Sequence, residues 1–509
     1  MFSAFVRCNK LFNPLRLKLM SKIRELASDT AVYGLSSIVA RFLNYLLVPF
    51  YTGFFAPDEY GVISLIFAAF VFLNVLFSFG MESAYIRYAT DRDQAPDVFK
   101  TIQSMLIGVG SILALLMYVG SDFIMPVISL DVTQDFTIYA LLIGILWFDA
   151  LSLVPYAELR LVRKSFTYAG YRVVNVIINL TLNIYLIAGL GWGIEAVLWS
   201  NLIASGVTTI GLWIITRSLF KGTFSMPVVQ QVLLFGLPYV PNGLGFAINE
   251  VVDRFYLNAM NPEHIEAIYG ISYTPEDITG IYNACYKLAI FMLLTVQMFR
   301  MAWQPFFMKY ADATDNKTVF ADVFDWFNIF AGIIFVSISM FVFEIASLQV
   351  PFMGDGTLIN DRYWEGLSIV PVLLLAYWFQ GWFVVFSAGI FIKEKTKILP
   401  GITMVGAGIT IMLNFMLVPQ FGMMGSAIAT LVCYAVIAFI LLYYSYKELN
   451  VLYRIRKTLV VIGITSTVVW IAKYSNMLYV DSLQVRLVLT LIGVVFVFYS
   501  LKPVRTTSN

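Results

Sequence analysis

Histidine occurs once in this chain of 509 residues, at His264, and cysteine three times, at Cys8, Cys285 and Cys433. One imidazole gives a catalytic triad or a zinc centre almost nothing to build on. Three scattered cysteines with no C-x-x-C pair supply neither a disulfide framework nor a metal site. Charge is scarce as well, at 13% of residues against about 25% in an average soluble protein. The net charge of +2 is too balanced to indicate a nucleic-acid partner. Catalytic, metal and cofactor sites are therefore not expected.

What the chain has instead is apolar surface. Hydrophobic residues make up 60% of it, aromatic residues 16%, and the mean hydropathy is +0.81. Lipid, not water, is the solvent for such a surface, and the aromatics suit two membrane–water interfaces. A helix crossing ~30 Å of hydrocarbon needs about 20 apolar residues. Runs of that kind fall near 30–54, 60–84, 101–119, 136–157, 166–188, 193–216, 231–255, 278–303, 326–349, 366–391, 398–418, 423–445, 458–474 and 483–501. The expected fold is an all-α polytopic membrane protein of about fourteen transmembrane helices, with two pseudo-symmetric six-helix lobes and two extra C-terminal helices.

Lys and Arg set the orientation. With the N-terminus inside, the outer loops carry only Arg362, Lys473 and Arg486, and nearly all other basic residues fall on the cytoplasmic side. Both termini are then cytoplasmic. The basic stretch "RCNKLFNPLRLKLMSKIREL" resembles a signal-peptide n-region, but the apolar run after it is too long and has no A-x-A-like site. It is an uncleaved lead-in, lying along the inner leaflet or forming a disordered basic tail.

The chain repeats itself. Residues 157–197 align with 388–428 at a constant offset of 231 positions. Ala157, Lys164, Gly170, Val174, Ile178, Leu182, Asn183, Leu186, Gly191 and Ala196 all recur. A Leu-Asn pair ending one helix, followed by a Gly-rich turn, is more telling than shared aliphatics. Weaker matches link "ARFLNYLL" (40–47) to "DRFYLNAM" (253–260), and "DEYGVISLIFAAF" (58–70) to "EDITGIYNACYKLAIF" (276–291). The expected organisation is a lead-in (1–28), a six-helix lobe (29–217), a cytoplasmic linker (218–230), a second six-helix lobe (231–446), and two further helices with a short tail (447–509). An even helix number per lobe relates the two by an axis along the membrane normal, with a cavity between them.

Polar residues inside the spans are the functional candidates. Arg172, Asn175, Asn179 and Asn183 step by three or four and so share one helix face. Amides facing hydrocarbon would lack partners, so this stripe meets a neighbouring helix or a wet cavity. Its repeat keeps Thr403, Gly406, Thr410 and Asn414, and Thr410 and Asn414 are counted among the cavity-lining candidates. The stretch "NEVVDRFYLNAM" places Glu250, Asp253 and Arg254 at the end of one span, with Glu250 and Arg254 a favourable pair four apart. These three charges either neutralise one another or serve a ligand. Arg41 has no acid within four residues, and a lone mid-membrane Arg costs roughly 2.5–3.5 kcal/mol on the lenient scale. Lys287 is similarly placed. Arg41, Arg254 and Lys287 are the candidate anion-binding residues, because a guanidinium fork matches phosphate. Asp149, Glu250, Asp253 and Glu344 are the candidates for ion coupling or charge balance. Trp303, Gln304, Trp378, Gln380 and Trp382 suit either sugar contacts or interface anchoring.

"DEYG" opening the second span, "DRF" closing the seventh, "GIYNACYKLA" in the eighth and the "LN…G…A" turns resemble bacterial O-antigen (Wzx-type) polysaccharide flippases. These belong to the multidrug/oligosaccharidyl-lipid/polysaccharide exporter superfamily. The resemblance covers about residues 25–450, and the long loop 261–277 departs from it. It implies a non-enzymatic transporter of the bacterial inner membrane. Such a protein moves a polyprenyl-pyrophosphate-linked oligosaccharide from the cytoplasmic to the periplasmic leaflet by alternating access, for surface polysaccharide or lipopolysaccharide assembly. It also implies contact with polysaccharide polymerase or ligase machinery. Fourteen spans resemble the lipid II flippases, whose two extra helices help to hold the polyprenyl tail. The cations Arg41, Arg254 and Lys287 would then meet pyrophosphate. Proton or sodium coupling stays open. The alternatives are a cation-coupled multidrug exporter on the same fold or a membrane-embedded glycan polymerase or glycosyltransferase.

Overall fold

A computed structural model describes residues 47–270, 272–311, 316–350, 356–474 and 483–503. The described residues are almost wholly helical, their one β contact being an isolated bridge between Gln349 and Thr357. Among the described residues, twelve segments are long and apolar enough to cross a membrane. The first expected span, 30–54, is described only from Leu47 onward, where α1 (Leu47–Phe54) begins. Arg41 lies outside the described residues.

The chain continues through α2 (Pro57–Ser78), α3 (Met81–Tyr88), α4 (Ala95–Val119), α5 (Phe136–Leu161), α6 (Ser165–Asn183) and α7 (Ile194–Ile215). Then come α8 (Met226–Gly236), α9 (Tyr239–Asn258), α10 (Pro262–Tyr269), α11 (Pro275–Tyr286) and α12 (Ile290–Lys309). The last are α13 (Asn316–Met340), α14 (Val370–Ile392), α15 (Ile398–Leu449), α16 (Ile455–Tyr474) and α17 (Leu483–Leu501). The long outer loop expected at 261–277 thus contains the short helix α10.

α15 is 52 residues long and holds the expected spans 398–418 and 423–445 in one element. It is not straight. Gly422 breaks it with φ 54°, ψ −130°, three residues after Pro419. A Cβ at Gly422 would lie 2.1 Å from the Tyr269 hydroxyl, and that hydroxyl accepts the Met423 N–H at 2.9 Å. Only glycine fits both the backbone conformation and the contact.

α5 packs on α2, α4 and α7, whereas α14 packs on α12, α13 and α15. α2 runs across to α9 and α11. The α2–α11 crossing is a backbone-to-backbone approach: a Cβ at Gly61 would sit 2.0 Å from the Glu276 carbonyl oxygen, and one at Gly280 1.9 Å from that of Pro57. α2 has Pro57 at its start, with Glu59 accepting the Ala56 N–H at 3.0 Å, and α11 has a Thr274–Asp277 capping box. Both helices therefore begin firmly at the crossing.

The largest fully buried side chains of the core are aromatic. Trp378 and Trp382, one helical turn apart and wholly buried, both donate indole N–H groups to Asn328 Oδ1 at 2.7 Å. Trp303 is buried and donates to the Val385 carbonyl. These three tryptophans are packing anchors, and the sugar role weighed for them does not fit their burial. The last two helices dock on α13; Arg454, just before α16, pairs with Asp322 and Asp325 of α13, and Arg486 of α17 pairs with Glu344, just beyond the end of α13.

Candidate functional site

α9 carries its charges one turn from its end, and the structure sorts them into distinct roles. Glu250 and Arg254 do not form the carboxylate–guanidinium pair expected from their spacing. Arg254 Nη1 donates to Asp253 Oδ1 and to the Glu250 backbone carbonyl, both at 2.6 Å. The Asp253 carboxylate also accepts the Arg254 N–H at 2.9 Å and the Tyr282 hydroxyl at 2.7 Å. The Tyr286 ring, 4.4 Å from the guanidinium, holds Arg254 toward α11, and this tertiary contact overrides the helix-surface preference. Glu250 keeps its carboxylate for the Tyr434 hydroxyl at 3.4 Å.

This cluster walls a cavity of about 480 Å³, lined among others by Glu250, Arg254, Asn283, Tyr286, Lys287, Asn179 and Tyr377. Lys287 reaches it because α11 ends at Tyr286 and a 3₁₀ turn, Lys287–Ala289, joins it to α12. Lys287 stands within electrostatic range of Glu250 and Arg254. Arg254 is buried and compensated by Asp253, so it borders the cavity without bringing a full unbalanced charge. Tyr286 and Tyr377 share a hydroxyl–hydroxyl hydrogen bond at the same wall.

A second cavity, also about 480 Å³, adjoins the first, and Asn74, Asn175 and Asn201 line both. It holds Asp149, Arg172, Ser205 and Thr208. Arg172 lies over the Tyr156 ring at 4.4 Å, Ser205 donates to Asp149 at 2.7 Å, and Asn175 donates to Thr208 at 3.0 Å. The α6 stripe therefore borders both chambers, Arg172 and Asn175 on one and Asn175 and Asn179 on the other.

Other expected cavity residues lie elsewhere. Asn183, Thr410 and Asn414 line neither chamber. Asn183 is buried and bonded to Tyr51, Thr410 donates to Asn249 at 3.1 Å, and Asn414 accepts from Ser426 at 2.9 Å. Each satisfies its polar atoms against a neighbouring segment, so the repeat copy of the stripe is interhelical packing. Glu344 also lines neither chamber and pairs with Arg486. Asp253 is spent on Arg254 and Tyr282, which leaves Asp149 and Glu250 as the two coupling candidates that face a chamber. The sequence reading missed Asn74, Asn201, Ser205 and Thr208. The last three step by four and three residues along α7, so the same helical-face signal was present there.

Adjoining polar chambers inside an apolar helical bundle define the class: a multi-span membrane protein enclosing a polar-lined interior. The lipid II flippase MurJ in an inward closed conformation is similar over 92% of this chain and 97% of its own, with a TM-score of 0.68 at 15% identity. An inward-facing multidrug resistance MATE family transporter of the MOP superfamily covers 83% of this chain and 94% of its own, with a TM-score of 0.64 at 14% identity. A MOP superfamily transporter from Pyrococcus furiosus gives 0.56 at 14% identity, over 83% and 96%. At such identities the likeness is one of fold. No curated protein sequence matches the chain. The family model described as polysaccharide biosynthesis protein matches residues 52–355, more than half of the chain. The protein belongs to that polysaccharide biosynthesis family.

Proposed function

We propose that the protein carries a polyprenyl-pyrophosphate-linked oligosaccharide from the cytoplasmic to the periplasmic leaflet of a bacterial inner membrane, both termini being cytoplasmic. Lobes 29–217 and 231–446 rock about the cavities between them, while the polyprenyl tail stays in lipid. The observation that carries this reading is the first cavity, where Lys287 and Arg254 face a polar space deep among the helices. A sugar–pyrophosphate headgroup cannot enter hydrocarbon, and a lined chamber removes that desolvation cost. With the cell interior negative, two exported charges gain about 4–5 kcal/mol per 100 mV, so shelter matters more than driving force.

The test is a Lys287→Gln variant in cells that depend on this protein for surface glycan. Glycan display should fall at least tenfold while the protein level in the membrane is unchanged. Undiminished display would remove Lys287 from the anion site.

The acids facing the chambers, Glu250 and Asp149, support a second reading, a cation-coupled drug exporter. That reading predicts that loss of the protein raises intracellular accumulation of a cationic dye and leaves surface glycan intact.

A further inference from the structure

The two chambers differ in the chemistry of their walls. Alongside Arg172, the second carries two carboxylates, Asp149 and Glu82, together with a concentration of hydroxyl and amide groups. Glu82 is paired with Arg160. Asp149 accepts from Ser205 through Oδ1 and lies within electrostatic range of Arg172, and no hydrogen bond from a described residue reaches its Oδ2. Asn175 uses its amide N–H on Thr208, and its Oδ1 takes no bond from the described residues. Acceptor atoms therefore border the space in search of donors. Tyr239, 45% exposed, adds an aromatic ring to the same wall.

An anion would meet the Asp149 carboxylate there, and an apolar drug would leave a lining rich in hydroxyls and amides unpaired. A sugar ring fits better. Its neighbouring hydroxyls donate and accept, matching a carboxylate and an amide, and its C–H face matches a tyrosine ring. The position agrees, because the second chamber shares Asn74, Asn175 and Asn201 with the chamber of Lys287 and Arg254. On a lipid-linked glycan the sugars begin where the pyrophosphate ends.

We propose that the second cavity is a saccharide subsite, in which Asp149 and Asn175 accept hydroxyl hydrogens from the first sugar units of a lipid-linked glycan beside the Tyr239 ring. This rests on the proposed transport function and adds which part of the substrate is read, and by which residues.

The experiment measures equilibrium binding to the full-length protein in nanodiscs with two probes. One is undecaprenyl pyrophosphate, and the other is the lipid-linked oligosaccharide fraction extracted from the producing cells. The native protein should bind the glycosylated probe at least tenfold tighter than the bare one. Asp149→Asn, nearly isosteric and able to keep the Ser205 bond, and Asn175→Ala should each cut that preference on the order of tenfold, the scale of one lost charged or buried hydrogen bond. Lys287→Gln should weaken both probes by a similar factor. Equal native affinities for the two probes, or variants at 149 and 175 that weaken both probes by the same factor, would overturn the subsite. Failure of the anion site reads differently: bare undecaprenyl pyrophosphate does not bind and Lys287→Gln changes neither affinity, while the sensitivity of glycan binding to Asp149 still judges the subsite.

Discussion

Asn183 and Asn414, 231 positions apart, are held by the same bond. Each is fully buried and donates Nδ2 to the carbonyl four residues earlier, Asn179 in one case and Thr410 in the other, at 2.8 Å in both. Their oxygens differ in partner, the Tyr51 hydroxyl for Asn183 and the Ser426 hydroxyl for Asn414. Downstream, both helices lose regularity, through a π turn at Ile184–Gly189 and the break at Gly422. Gly191 and Gly422, also equivalent, both have positive φ. The internal repetition is thus one of geometry as well as letters at this point. Asn414→Ala strands the Ser426 hydroxyl and should cost about 1–3 kcal/mol, and Asn183→Ala should cost as much by stranding Tyr51. Thermal unfolding of the detergent-solubilised protein measures both, and a change below a few tenths of a kcal/mol in either would show the bond to be incidental.

The Asp253–Arg254 pair invites a separation of folding from function. Asp253→Ala leaves a buried guanidinium without its carboxylate, a loss of about 3–5 kcal/mol. The double variant Asp253→Asn, Arg254→Gln removes both charges and should recover most of that stability. If Arg254 serves the anion site, the double variant folds yet does not restore surface glycan. Recovery of both folding and glycan display would make the pair purely structural.

Much of this arrangement was legible beforehand, and the exceptions have physical causes. Charges in an apolar run are conspicuous because lipid penalises them, so Glu250, Asp253, Arg254 and Lys287 stood out. The partner of Arg254 did not, because it is fixed by the Tyr286 ring on another helix. The stripe from Arg172 to Asn179 has the period of a helix face and borders the chambers. Thr410 and Asn414 share that period yet pack against Asn249 and Ser426, since periodicity identifies a face and not what covers it. The turn that delivers Lys287 has no sequence mark, as no Pro or Gly interrupts "NACYKLAIF".

Trp378 and Trp382 were ambiguous in sequence and are resolved by one atom, Asn328 Oδ1. Asn328→Leu would leave two buried indole N–H groups without an acceptor. Unfolding stability should drop by about 2–6 kcal/mol, at 1–3 for each stranded donor. Trp378→Phe in the Asn328→Leu background should return part of it, because one stranded donor disappears. Additive losses from the two substitutions would contradict the shared acceptor.

The glycines at the α2–α11 crossing make the final prediction. Gly61 and Gly280 each present bare backbone to the opposite chain, and no side chain fits at 2 Å from a carbonyl oxygen. Gly280→Val therefore forces the two helices apart at the end of the bundle that bears the 261–277 loop. Ser64, one turn along α2, lines the first cavity and offers a reporter. In a variant carrying Ser64→Cys, a membrane-impermeant maleimide added on the side of that loop should label poorly with Gly280 in place. Labelling should become several-fold faster with Gly280→Val. Of the native cysteines, Cys285 and Cys433 are buried, and a Ser64 background measures what these two and Cys8 contribute. Equal labelling rates in the two forms would mean that the crossing does not seal the cavity. A faster rate together with lost glycan display would show that transport requires this end to close.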